Sequence, residues 1–232
     1  MVTLVLMAGG KGVRLRPLTY DTPKPMIKIS GKPILEHTIE LAKSQGIKDI
    51  IICSGYLSHV IEEYFEDGSK FGVNIKYSIE KEPLGTGGPL SLIKNSIDDD
   101  FIVLNADIMC NINIKKLIEF HKKNNADATI IIHDTDHPDD SDLIEADGIK
   151  LKKIWLKPHK EKPTTKKSVA GMYVLNPKVI SLVPDKKFSL ERELLPILHE
   201  KQFKVCCYDT NEFLKDVGTF DRIKKIEDDH RN

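Results

Sequence analysis

Leu4-Val-Leu-Met-Ala-Gly-Gly-Lys-Gly-Val-Arg-Leu-Arg-Pro-Leu-Thr19, followed by Pro23-Lys24-Pro25-Met26, is the stretch that decides how this chain is read. An apolar β-type run breaks into three glycines within four positions, and Arg14 and Arg16 follow. Ten residues after Arg14 stands Lys24, flanked by prolines. Glycines let backbone N–H groups approach phosphate oxygens, and arginine and lysine neutralise their charge. The pattern is that of a strand running into an anion cradle. On the glycines alone, a plain turn with solvated basic residues matches equally well. Two familiar nucleotide motifs fail here: Gly10-Lys-Gly12-Val-Arg-Leu15 lacks the third glycine of the dinucleotide fingerprint, and Gly31-Lys32 runs into Pro33 instead of Ser or Thr.

The totals narrow the classes. A chain of 232 residues suits one large domain with a sizeable core. Thirty-five basic residues balance thirty-five acidic ones, so no global field advertises nucleic acid or an anionic membrane. A phosphate ligand must then be held locally. No apolar run approaches the roughly 18 residues of a membrane span, and the N-terminal run is too short and glycine-interrupted for a signal peptide. The expectation is a soluble, cytoplasmic protein. Cys53, Cys110, Cys206 and Cys207 show neither metal-ligand spacing nor a disulfide framework and are read as reduced, packed residues.

Along the chain, Pro33 to Gly46 has a proline start, helical apolar spacing and a glycine stop. Lys48 to Ser54 reads as a strand buried on both faces, a helix runs through Val60 and Phe65, and Val73 to Ile79 alternates as a further strand. This succession predicts a Rossmann-like α/β fold, a mostly parallel central sheet with helices on both faces. A second glycine cluster, Glu80-Lys-Glu-Pro-Leu-Gly-Thr-Gly-Gly-Pro-Leu90, opens a predicted helix. The apolar strand from Phe101 ends in Asn105-Ala-Asp107. Ligands of open α/β sheets sit beyond the carboxyl ends of the strands, so these junctions border one predicted crevice. Asp107 suits Mg²⁺ there, although an aspartate capping the next helix fits the same position. Helices are predicted at 114–125, 190–200 and 220–229, and strands at 128–133, 168–175 and 205–208. The aspartate-rich segment from Asp134 to Asp147 reads as a solvated loop for most of its charges, with a lip of the site as the alternative. His121 reads as a packed or surface residue, not a ligand. The Lys- and His-rich loop from Lys157 to Lys167 leads to Gly171, where a glycine in a strand permits close approach of a ligand. Asp216, in Leu214-Lys-Asp-Val-Gly-Thr219, is a second candidate metal carboxylate.

Taken together, Ala8 to Thr19, Pro23 to Met26, Lys32-Pro33, Glu82 to Gly88, Leu104 to Asp107, Lys157-Pro158, Ala170-Gly171 and Lys215 to Gly218 resemble the sugar-1-phosphate nucleotidylyltransferases, the NDP-sugar pyrophosphorylases, over nearly the whole chain. The resemblance implies a nucleotide-diphospho-sugar transferase fold. It implies backbone contacts from Ala8 and Gly9 to the base, a triphosphate cradle beginning at Gly10, Arg14 on the outgoing pyrophosphate and Lys24 on the reacting phosphates. Glu82, Gly85 and Thr86 would line the base pocket, and Asp107 and Asp216 would ligate Mg²⁺. Lys157 and Lys162 compete for the sugar phosphate, with Gly171 beside it. Register favours Lys157, whereas Lys162 follows Glu161, the glutamate usual in that motif; Leu156 stands before Lys157 instead.

A sugar 1-phosphate is already an anion, so its attack on an α-phosphorus needs alignment and charge neutralisation, not a general base. The halves 1–133 and 134–232 are expected to hold nucleotide and sugar phosphate respectively. Within the family, 83–90 and 103–110 look like guanylyltransferases acting on mannose-type sugars. His137 to Leu143 with Leu156 to His159 resembles the transferase portion of chains making GDP-D-glycero-D-manno-heptose, some of which are fused to a phosphatase; no phosphatase portion is expected here. The expected partners are GTP and D-glycero-α-D-manno-heptose 1-phosphate. Mannose 1-phosphate, another nucleotide and sugar pair, or an inactive regulatory homologue that binds sugar nucleotides stand as alternatives. Homo-oligomerisation is left open.

Overall fold

The apolar run that opens the chain is strand β1, Leu4–Ala8, buried along nearly its whole length. In the computed structural model, which describes residues 2–231, the glycine stretch after it turns through a short 3-10 segment at Val13–Leu15. A second 3-10 turn, Lys24–Met26, leads into two short paired strands, β2 (Lys28–Ile29) and β3 (Lys32–Pro33). Helix α1, Ile34–Ser44, buries Ile34, Leu35, Thr38, Ile39 and Ala42, the spacing of one helical face. The chain continues through β4 (Asp49–Ser54), α2 (Ser58–Phe65) and β5 (Asn74–Ile79). The helix predicted after the second glycine cluster is a 3-10 helix, Gly88–Ser96. There follow β6 (Phe101–Asn105), β7 (Ile108–Asn111), α3 (Ile114–Lys123), β8 (Ala128–Asp134), β9 (Leu143–Asp147) and β10 (Lys150–Trp155). Strand β11 (Lys167–Leu175) precedes a π-helical turn, Leu190–Leu194, that runs into α4 (Leu195–Glu200). The last elements are β12 (Val205–Asp209), β13 (Phe213–Asp216) and α5 (Phe220–Arg231).

Contacts divide the chain into two units. The first comprises Met1–Pro83, Leu104–Ile112 and Phe213–Asn232. In it β1, β4 and β5 run parallel, with Ala8 opposite Ser54 and Ser54 opposite Ile79. The three carboxyl ends therefore share one edge. Strand β7 pairs antiparallel with β13, setting Asp216 opposite Ile108. A core of Leu15, Ile27, Ile29, Ile34, Met109, Val217 and Ile226 ties the glycine loop to this pair and to α5.

The second unit comprises Leu84–Val103 and Asn113–Glu212. Here β8 pairs antiparallel with β11 and parallel with β12, and β10 pairs antiparallel with both β9 and β12. The sheet is therefore mixed. Only Gly148 and Ile149 separate β9 from β10, and a link that short joins antiparallel strands. Gly148 takes the positive φ of 57° that such a turn demands. One expectation changes accordingly. The segment 134–147 is not all solvated loop, because Leu143 and Ile144 are fully buried in β9. Residues on both sides of 133 belong to this unit, with β8 paired to β11 and β12.

His121 is packed, 1% exposed, with Nδ1 2.8 Å from the Thr129 hydroxyl and Nε2 3.7 Å from Asp100. Burial outweighs the acidic neighbours and holds its pKa below the ordinary 6.5. Below that pH the unfolded chain takes up a proton that the folded chain resists, so stability falls as pH drops through 6.5. Thermal denaturation between pH 8 and 5 should show this decline, and His121→Gln should flatten it. A slope unchanged in the variant would assign the decline to other groups.

The four cysteines are free, and burial pushes the Cys53, Cys110 and Cys207 thiols up to about 12. At neutral pH they are packed thiols, not nucleophiles. No helix among the described residues is long and apolar enough to cross a membrane.

Candidate active site

In the first unit the glycine loop, Arg14, Lys24 and Asp107 meet around one pocket of about 240 Å³, lined also by Gly218. The loop follows the carboxyl end of β1. Gly12 takes φ 59°, and its carbonyl accepts hydrogen bonds from the Leu15 N–H and the Thr19 hydroxyl, both at 2.9 Å. A Cβ at Gly12 would stand 3.0 Å from the Thr19 methyl and 3.2 Å from the Lys24 Cβ. The turn therefore needs glycine both for its left-handed backbone and to let Lys24 pack against it. Gly10 is open on its Cβ side and exposed to the pocket.

Asp107 follows β6 and is held by its neighbours' ladder: its carbonyl accepts from the Val217 N–H at 2.8 Å, next to the Asp216–Ile108 pairing. The β7–β13 pair thus sets two carboxylate-bearing residues, about a hundred positions apart in sequence, at adjacent points of one ladder. Each already faces a cation. Lys24 Nζ donates to Asp107, and Arg222 Nη1 donates to both oxygens of Asp216. Such oxygen donors suit a hard divalent ion such as Mg²⁺. Among the described residues no group of three or more His, Cys, Asp or Glu is arranged to hold a metal. Mg²⁺ commonly binds through one or two carboxylates, with water and phosphate completing its shell, so two aspartates fit it.

Ala8 is buried at the end of β1, and Gly9 accepts from the Tyr56 N–H at 3.5 Å. The carboxylate of Glu80 lies directly over this point. A Cβ on Gly9 would fall 2.0 Å from Glu80 Oε1, and one on Gly55 would fall 2.8 Å from the same oxygen. A side chain at either glycine would push that carboxylate out of its present place. Glu82, the acid expected at this site, is exposed two residues further on.

In the second unit Gly85 has φ 80° and lies against the Phe188 carbonyl, which would stand 2.7 Å from an added Cβ. The Thr86 hydroxyl donates to Glu191 Oε2 at 2.7 Å and accepts from the Leu190 N–H at 3.0 Å. Its side chain thus joins the loop to the π turn. Glu191 also accepts from the buried Tyr173 hydroxyl at 2.9 Å, and burial and that carboxylate together hold the phenol well above its ordinary value. Strand β11 breaks register between Val169 and Tyr173, with Gly171 at φ 70° inside the break.

Lys157 sits at the centre of a folded cluster. Its Nζ donates to the Asp140 carbonyl at 2.5 Å and lies 3.1 Å from the Asp140 carboxylate. Its N–H donates to Asp142 at 2.8 Å, and its carbonyl accepts from Arg192 at 2.8 Å. His159 Nε2 lies 3.0 Å from the Pro138 carbonyl. The acidic segment is therefore folded onto the Lys157 loop. Lys162 is exposed, and the adjacent Glu161 lies 3.8 Å from Lys153. Arg192, Glu191, Glu80 and Arg222 all escaped the sequence reading. Glu191 and Arg192 gain their places through partners distant in sequence, Glu80 stands at the edge of a glycine cluster without being marked by it, and Arg222 faces Asp216 across a turn.

The nucleotidyl transferase family model matches residues 3–232 of this chain. The mannose-1-phosphate guanyltransferase of Saccharomyces cerevisiae is 37% identical over 219 residues, which span 92% of this chain and 60% of that protein. The chain thus spans about 60% of the length of such curated relatives. Among solved structures, HddC from Yersinia pseudotuberculosis aligns over 99% of this chain and 100% of its own, with TM-score 0.84 and 30% identity. The same protein complexed with GMP-PN gives TM-score 0.83 at 29% identity. A UDP-glucose pyrophosphorylase complexed with UDP-glucose covers 100% of this chain and 99% of its own at TM-score 0.86 and 20% identity, a likeness of fold. The fold is that of the nucleotide-diphospho-sugar transferases.

Proposed function

This chain belongs to the nucleotidyl transferase family, and from that membership we propose that it transfers the guanylyl group of GTP to a manno-configured sugar 1-phosphate, releasing pyrophosphate. The observation that supports this best is the meeting of Gly10, Arg14, Lys24 and Asp107 around one pocket after β1. An oxygen of the sugar phosphate attacks the α-phosphorus. The bond from that phosphorus to the α–β bridging oxygen breaks, and pyrophosphate leaves with the electron pair. The nucleophile is ionised at neutral pH, so proton abstraction is not part of the task. The glycine-loop N–H groups and Lys24 hold the triphosphate, and Arg14 neutralises the leaving pyrophosphate. Asp107 and Asp216 would hold Mg²⁺, which when bound supplies charge stabilisation at the phosphoryl oxygens.

Glu80 supports guanine as the base. A carboxylate is an acceptor with two oxygens and no donor. Guanine presents two adjacent donors, N1–H and the N2 amino group, whereas adenine presents an acceptor at N1. Seated over Gly9, Glu80 stands where the family resemblance puts the base.

For the sugar, we favour D-glycero-α-D-manno-heptose 1-phosphate, because the two stretches that resemble heptose transferases, 137–143 and 156–159, fold onto each other around Lys157. Mannose 1-phosphate is the second reading, favoured by the identity to mannose-1-phosphate guanyltransferases. Pyrophosphate release from GTP with each sugar phosphate, and from UTP, TTP, CTP and ATP in parallel, tests the proposal. Faster turnover with mannose 1-phosphate would select the second reading. Binding of GDP-sugars with no turnover of any pair would instead indicate a silent homologue.

Lys157→Ala is expected to raise KM for the sugar phosphate by about 10- to 100-fold, the scale of a lost charged hydrogen bond. Lys162→Ala should leave it nearly unchanged. Equal KM values in wild type and Lys157→Ala, with a large rise in Lys162→Ala, would reverse the assignment.

A further inference from the structure

We propose that Arg222 is a displaceable counter-ion: it occupies Asp216 while the metal is absent and turns to phosphate oxygens when a divalent cation takes the carboxylate. The proposal rests on the nucleotidyl-transfer reading and extends it to a residue that no motif marks. Three observations support it.

The first is the ion pair itself. Arg222 Nη1 donates to both carboxylate oxygens of Asp216, the oxygens that a cation needs. Metal and arginine cannot both hold them, so the two compete.

The second is exposure. The side chains of Arg222 and Asp216 are 36% and 44% exposed, whereas Lys24, paired with Asp107, is 11% exposed. A solvated pair is weak and exchanges readily, but a lysine packed under the glycine loop does not move far. Of the two cation–carboxylate pairs, that of Arg222 is the one built to open.

The third is where the arginine stands. Thr219 accepts the Ile223 N–H at 3.1 Å, so Arg222 lies in the first turn of α5, at the positive end of the helix dipole. A cation gains nothing from a helix there. What the place does give is nearness to Arg14. Nη2 of Arg14 and Nη1 of Arg222 would each stand 3.4 Å from a Cβ on Gly218. Once Asp216 is taken by metal, two guanidinium groups flank the same buried glycine at the pocket wall. Planar guanidinium forks suit phosphate oxygens, so the released arginine joins Arg14 on an anionic group. Metal entry would then raise the phosphate affinity of the pocket.

The test compares wild type with Arg222→Ala and Arg222→Lys, using Mn²⁺ alone and then pyrophosphate with Mn²⁺ present. Free Mn²⁺ is counted by electron paramagnetic resonance, and pyrophosphate binding by calorimetry. Arg222→Ala is expected to bind Mn²⁺ about 3- to 5-fold more tightly, the scale of a lost exposed ion pair, and to bind pyrophosphate more weakly. Arg222→Lys should fall between. Unchanged or weaker Mn²⁺ binding by a variant with wild-type circular dichroism and Tm overturns the competition. Tighter Mn²⁺ binding with unaltered pyrophosphate binding overturns the hand-over. If wild type itself binds neither GTP nor pyrophosphate, the transferase reading falls. A wild type that binds both, beside an unmoved Arg222→Ala, sinks only the counter-ion.

Discussion

Replacing Asp107 by Asn is expected to lower kcat by about 100- to 1000-fold, the range seen when one preorganised electrostatic group is removed from a reacting centre, while the protein stays folded. The substitution preserves size and removes charge. The Asp107 side chain is 30% exposed, so the core loses nothing. What the fold loses is one ion pair with Lys24, worth about 1 kcal/mol or less for a partly exposed pair. In a chain this long that corresponds to a Tm drop of about 2–4 °C at most. The loss of turnover should therefore far exceed any loss of stability. It should also appear mostly in kcat, because the carboxylate is proposed to act where charge builds up in the transition state. Steady-state kinetics with saturating Mg²⁺, beside a thermal melt, would decide it. Turnover within a few-fold of wild type would remove Asp107 from the metal site.

Glu80→Gln should change which nucleotide is used. The carboxylate can accept from both guanine donors, whereas the amide offers one acceptor and points its own N–H groups at the other donor. Losing one charged hydrogen bond and facing donor against donor should cut kcat/KM for GTP by about 100-fold or more. ITP lacks the N2 amino group, so it should lose less than GTP, and the ratio between the two should contract. ATP should gain, because an amide can accept from adenine N6 and donate to N1. A competition assay with all three triphosphates reads this directly. A uniform decline for GTP, ITP and ATP would mean that Glu80 shapes the loop and does not read the base.

The parts of the site legible in the sequence were those written locally. Gly9, Gly10 and Gly12 follow a buried strand, and Gly12 takes the left-handed φ of 59° that favours glycine. Asp107 ends an apolar run, and Lys24 is fixed by prolines on both sides. Glu82 is exposed whereas Glu80 lies over Gly9, a difference that period and motif do not show. That depends on the three parallel strands whose ends share one edge. Arg222 was hidden for another reason: Asp216 is only six residues away, but the two face each other across the turn between β13 and α5, and no motif marks that pair. Strand β9 was hidden by composition. Its flanking aspartates outweighed Leu143 and Ile144, although Asp147-Gly148 is a strong hairpin signal. Likewise Thr86 sits in a conspicuous glycine cluster, but its hydroxyl belongs to Glu191, a partner that only the fold supplies.

The first unit is assembled from three separate stretches of chain, and the last of them begins at Phe213. During synthesis the glycine loop, Lys24 and Asp107 leave the ribosome long before Asp216 and Arg222 do. Until then β7 has no β13, and Leu15, Ile27 and Met109 lack Val217 and Ile226 to cover them. A nascent chain with the second unit already complete would still carry a glycine loop whose apolar underside is uncovered. Closure of this core thus waits for β13 and α5, although the glycine loop it covers is made first.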